Sequence, residues 1–136
     1  MKIEPSANNT MEKLHILVAD DDKMSQTLAK ILLKKTGCTF QMVDNGAAVI
    51  EALEQQHFDL ILMDIEMPVM DGYETTLKIR RTLPAPINTI PIIAITADNN
   101  PEHIAHYATA GINAFITKPL VYDDLITQIG VLIKPR

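Results

Sequence analysis

Four short apolar runs in this chain stop at residues carrying a charge or a hydroxyl, and this restricts the fold more than any other feature. Ile16-Leu17-Val18-Ala19 runs into Asp20-Asp21, and Leu60-Ile61-Leu62-Met63 into Asp64. Ile92-Ile93-Ala94-Ile95 runs into Thr96, and Ala114-Phe115-Ile116-Thr117 into Lys118-Pro119. A fifth run, Thr39–Val43, is shorter on apolar residues. Continuous runs of this length fit strands buried on both faces. If the strands are parallel, their carboxyl ends share one rim, where open α/β sheets place their ligands. Three acids, one hydroxyl and one amine then meet on that rim.

Helical patterns separate the runs. Met24, Leu28, Ile31, Leu32 and Lys35 recur at helical spacing, with Asp22 as N-cap and Gly37 as the stop. Asn45-Gly46 reads as a strand-to-helix turn, because Val49, Ala52 and Leu53 lie on one face of Ala47–Gln56. Asp71 with Glu74 forms a capping pair for a helix to about Arg81, and Thr82–Thr89 reads as a loop. Pro91 belongs at the start of a strand over Ile90–Ile95, since proline donates nothing to a ladder. Asn100-Pro101 opens a helix to about Ala110, which Gly111 ends; Asn113–Thr117 and a helix over Tyr122–Ile133 close the series. Strand and helix alternating with short loops predict a parallel sheet with helices on both faces.

With 136 residues the expectation is one domain, residues 13–136, behind a flexible leader or linker over residues 1–12. The net charge of −5 argues against direct nucleic-acid binding. One cysteine, Cys38, allows no internal disulfide, so a reducing compartment is expected. The polar start lacks a signal-peptide core, and no apolar run approaches the roughly 20 residues of a membrane helix. These features predict a cytoplasmic domain with no membrane insertion.

Carboxylates crowded on one rim repel each other unless a cation sits among them. Oxygen ligands without His or Cys select a hard ion, and Mg²⁺ is the usual one where phosphoryl groups move. A carboxylate beside such an ion can act as a nucleophile toward phosphorus. Lys118 adds a mobile cation and Thr96 a short-range donor. His103 and His106, three apart on one helix, have metal-ligand spacing but no third ligand in view, so a solvated or partner-facing patch is expected there.

The runs ending in Asp20-Asp21-Asp22, Asp64, Thr96-Ala97 and Lys118-Pro119-Leu120, with the loop Ile65-Glu66-Met67-Pro68-Val69-Met70-Asp71-Gly72, resemble the receiver domain of two-component response regulators. The resemblance extends from about Leu14 to Ile133. It implies a flavodoxin-like (βα)5 fold, with five parallel strands in the order 2-1-3-4-5. Asp64 is then the acceptor of a phosphoryl group from a phosphohistidine on a sensor histidine kinase or a histidine phosphotransfer protein. Asp20, Asp21, Asp64 and the backbone carbonyl of Glu66 are implied Mg²⁺ ligands, and Lys118 and Thr96 are implied phosphoryl contacts. Thr96 and Phe115 are the implied switch pair, read out by a downstream protein through the fourth helix, fifth strand and fifth helix. Phe115 lacks the hydroxyl of the Tyr common at that place. Glu66 and Asp98 occupy positions that tune phosphoryl lifetime in the family.

The implied protein is a signalling switch rather than a turnover enzyme. Two other readings stand beside it. An aspartyl-phosphate phosphatase of the haloacid-dehalogenase type would use Asp20-x-Asp22, although the Asp64 block and the length oppose it. A receiver-like binding module that never meets phosphate would normally have lost Asp64 or Lys118, and both are present.

Overall fold

Parallel neighbours cannot be joined by hairpins, so each pair of strands needs a crossover, and helices supply it. The computed structural model describes residues 11–133. Strands β1 (His15–Ala19), β2 (Thr39–Val43), β3 (Leu60–Asp64), β4 (Ile92–Thr96) and β5 (Ala114–Thr117) form one sheet. Helices α1 (Lys23–Thr36), α2 (Gly46–Gln55), α3 (Gly72–Thr82), α4 (Pro101–Ala108) and α5 (Tyr122–Leu132) alternate with them. All pairings are parallel and the strand order is β2-β1-β3-β4-β5, as expected.

Period-two alternation sorts the strand residues onto two apolar layers. Ile16, Val18, Leu60, Leu62, Ile93 and Ile95 pack on Leu33 of α1 and on Leu125 and Ile129 of α5. Leu17, Ala19, Ile61, Met63, Ile92 and Ala94 face Val49 and Leu53 of α2 and Ile79 of α3. Every residue of β3 and β4 is buried, which accounts for their unbroken hydrophobicity.

The caps are those expected. Asp22 accepts the Ser25 N–H at 2.9 Å and Gly37 ends α1 at φ 86°. Asp71 and Glu74 make a reciprocal capping box, and Asn100 caps α4 with Pro101 in the first turn. The apolar stripe of α1 differs from expectation. Met24 and Ile31 are exposed, and the buried side is Ala29, Leu32, Leu33 and Thr36. A stripe centred near Leu33 leaves Met24, Ile31 and Lys35 on the far side of the helix. Strand β4 begins at Ile92 rather than Ile90, α4 ends at Ala108, and the expected loop over Thr82–Thr89 holds a 3-10 turn at Ile87–Thr89. Met11 lies in the core at 8% exposed, two residues ahead of the expected boundary at residue 13. Residues 1–10 of the expected leader lie outside the described residues.

Candidate phosphoryl site

The central strands set the site. Ala19 pairs with Met63 across β1 and β3, so Asp20 and Asp64 leave the sheet side by side. On the other flank Asp64 pairs with Ile95, and Thr96 pairs with Thr117, which places Thr96 and Lys118 on the same rim. Carboxylate oxygens of Asp20, Asp21 and Asp64 lie within 4.8 Å of one another. Lys118 Nζ stands 3.1 Å from Asp64 Oδ2 and 3.6 Å from Asp20 Oδ2. Residues far apart in sequence thus meet as expected.

Asp20 and Asp64 are 2% and 5% exposed, a costly environment for two anions beside a single lysine. Burial, then the Asp20 charge, push the Asp64 carboxyl up to about 6, against the pull of Lys118. Burial also raises Asp20, opposed by the Asp22 N–H that its Oδ1 accepts at 2.9 Å. Burial disfavours the Lys118 ammonium, but its hydrogen bond and charge pairing with Asp64, then Asp20, outweigh that and raise its pKa. One amine therefore leaves negative charge uncompensated. A hard divalent cation matches an all-oxygen donor set with that surplus.

The Glu66 N–H donates to Asp64 Oδ1 at 3.2 Å, and Glu66 lines the same open cleft as Asp21, Asp64 and Lys118. Thr96 is buried at the end of β4, and Phe115 is half-buried against the apolar layer beneath α2 and α3. Asp22, the second acid required by the phosphatase reading, is engaged as the α1 cap.

Close packing behind the acceptor makes Gly72 sensitive. A Cβ there would lie 2.7 Å from the Asp64 carbonyl oxygen and 2.9 Å from Ile65 Cα, both backbone atoms that cannot swing aside. Gly72→Ala is expected to destabilise by about 1–3 kcal/mol, as overpacking does. Urea unfolding measures it; a midpoint equal to wild type would contradict the packing described.

Three contacts were not foreseen from sequence. Arg80 reaches the carbonyls of Gly111, Asn88 and Ile90 and the Asn113 side chain. His103 Nδ1 meets Asp98 Oδ2, so the Asp98 carboxylate is held toward α4. His106 stacks on Tyr73 with centroids 4.6 Å apart. The histidine pair is therefore divided between two partners. Among the described residues only Asp20, Asp21 and Asp64 gather three candidate metal ligands.

A doubly wound sheet with this acid and amine rim defines a phosphoryl-handling signalling class, and comparison with known proteins agrees. The family model "Response regulator receiver domain" matches residues 16–130. The CAI-1 autoinducer sensor kinase/phosphatase of Vibrio cholerae is 40% identical over 115 residues, covering 85% of this chain and 17% of that protein. Transcription factor SKN7 of Saccharomyces cerevisiae is 38% identical over 138 residues, covering 98% of this chain and 22% of that protein. The chain thus spans less than a quarter of either relative. The crystal structure of the receiver domain of a Pseudomonas aeruginosa sensor histidine kinase, with magnesium coordinated in its active-site cleft, superposes with a TM-score of 0.79. It is 30% identical, covering 87% of this chain and 95% of that one. This chain belongs to the receiver domain family of two-component response regulators.

Proposed function

We propose that the chain is a phosphorylation-dependent switch in a two-component phosphorelay, with Asp64 as phosphoacceptor. The observation that carries the reading is Lys118 Nζ at 3.1 Å from Asp64 Oδ2, beside a second buried carboxylate. An Asp64 oxygen attacks the phosphorus of a phosphohistidine, the P–N bond breaks, and an aspartyl phosphate forms. Lys118 follows the charge onto the phosphoryl oxygens, and the Thr96 hydroxyl donates to one of them. Asp20, Asp21, Asp64 and the Glu66 carbonyl would hold Mg²⁺, which when bound neutralises charge on the transferring group.

The donor in this reading is a sensor histidine kinase or a histidine phosphotransfer protein, and the receiver begins by Met11, which packs in its core. Phe115 and Thr96 report the modification to a downstream protein through α4, β5 and α5. The chain works in the cytoplasm, as a switch that takes and loses one phosphoryl group rather than as a metabolic enzyme. No described helix is long and apolar enough to cross a membrane.

Label transfer from a phosphohistidine donor tests this. Uptake is expected with Mg²⁺ and should fall at least about a hundredfold on chelation, the scale of losing one preorganised electrostatic stabiliser. Asp21→Ala should need far more Mg²⁺ to reach the same rate. Equal uptake in chelator and in Mg²⁺ would remove the metal from the reading.

A further inference from the structure

Thr96 ends β4 at 3% exposed, and its hydroxyl oxygen accepts the Asp98 N–H at 2.9 Å. A hydroxyl has one proton to donate and two lone pairs. With one lone pair engaged, the direction of the Thr96 proton depends on where the Asp98 amide sits. Among the described residues no hydrogen bond takes that proton, so it is free for an acceptor on the rim.

The Asp98 amide is set by its own side chain. Oδ1 accepts the Asn100 N–H at 3.0 Å, and Oδ2 meets His103 Nδ1 at 2.5 Å. The Asn100 bond, then His103, hold the Asp98 carboxyl below its usual range, so it stays anionic. His103 stands on the first turn of α4, a helix with no buried residue of its own. The helix is seated by Tyr107, which packs partly buried against the layer beneath α2 and α3, and by the His106–Tyr73 stack. A continuous chain of imidazole, carboxylate, amide and hydroxyl therefore runs from α4 to the rim.

We propose that His103 is a positioning residue for Thr96, acting through Asp98 to aim the Thr96 hydroxyl proton at a phosphoryl group on Asp64. This rests on the phosphoacceptor reading above. The contact needs a proton on Nδ1, which the imidazolium and one neutral tautomer both supply, and the charged form makes the stronger bond. Asp98 is the charged group opposite His103, and Glu102 neighbours it on its own helix. One turn on, Tyr107 lies near Asp98, Glu66 of the β3–α3 loop and Asp71 of the α3 cap.

Two measurements on the full chain decide it. In the unphosphorylated protein the Asp98 amide resonance should shift in His103→Ala, while amides of β2 at the far edge of the sheet should not. With acetyl phosphate and Mg²⁺, wild type should take up phosphate about two- to fivefold faster than His103→Ala, the scale of an exposed ion pair. That difference should vanish in a Thr96→Val background, because the two positions act through one hydroxyl. A His103 effect that persists without the Thr96 hydroxyl, or an Asp98 amide indifferent to His103, overturns the proposal. Wild type taking no label would instead refute the phosphoacceptor reading, and the amide shift would still decide the linkage.

Discussion

Asp64→Asn is expected to abolish phosphoryl uptake and, at neutral pH without divalent cation, to make the protein more stable. The first effect follows because an amide oxygen is too poor a nucleophile to form the acyl phosphate. The second follows from the buried charge. The Asp64 carboxyl titrates at about 6 in the fold, against the ordinary 3.8. Between these values the folded state binds more protons than the unfolded chain, so stability falls as pH rises. The favourable contribution is complete below pH 3.8 and gone once pH has passed about 6. A shift of about two units corresponds to roughly 3 kcal/mol at 1.36 kcal/mol per unit. Asn removes the anion but keeps one oxygen, so only one of the two donors served by Oδ1 and Oδ2, the Glu66 N–H and Lys118, retains its partner; a net gain of about 1–2 kcal/mol above neutrality is expected. Urea unfolding at pH 7.5 and pH 4, in chelator, measures it. The gain should shrink toward zero at the lower pH, and Mg²⁺ should stabilise wild type more than the variant. A variant less stable than wild type at pH 7.5 would contradict the electrostatics assigned to the rim.

Arg80→Met should cost about 3–5 kcal/mol, within reach of unfolding a domain of this size. The guanidinium gives two bonds to the Gly111 carbonyl, at 3.1 and 2.7 Å. It adds the Asn88 and Ile90 carbonyls at 3.0 and 2.8 Å and Asn113 Oδ1 at 3.0 Å. Asn113 Oδ1 also accepts the Ile92 N–H at 2.8 Å. One side chain on α3 thus pins the 3-10 turn, the start of β4 and the turn before β5. Methionine replaces the stem but leaves those carbonyls without donors. Lysine would recover at most part of the set, because its single ammonium lacks the planar fork. Chemical unfolding gives the cost; a loss below 1 kcal/mol would mean that the clamp is solvated rather than structural. The same packing makes Gly111, at φ 108°, intolerant of a side chain, since a Cβ would meet Arg80 Nε at 2.9 Å.

Much of the architecture was readable because four of the five strands are short, nearly continuous apolar runs, and most helices begin at a cap residue. Asp22, Asp71, Asn100 and Gly37 marked helix ends through local backbone chemistry, which tertiary context seldom overrides. The buried stripe on α1 differs from the expected one for the opposite reason. Met24 and Ile31 fit a helical period, but only contact with the sheet decides which arc of a helix is buried. Arg80 carried no local sign, because its partners lie 8 to 33 residues downstream. The Asp98–His103 contact escaped too, since it depends on how α4 leaves the β4 loop.

What the amino-acid order determined alone was the inventory of the rim: acids after the first and third strands, a hydroxyl after the fourth, a lysine after the fifth. The rim residues are also the ones that punctuate the strand ends, so local propensity places them. Tertiary structure alone decided the distances, the burial and hence the charge imbalance. It puts two carboxylates that are 2% and 5% exposed against one amine, a balance that depends on solvent exclusion by every layer around them. Desolvation is a property of the whole packed fold, so no segment of sequence carries it by itself.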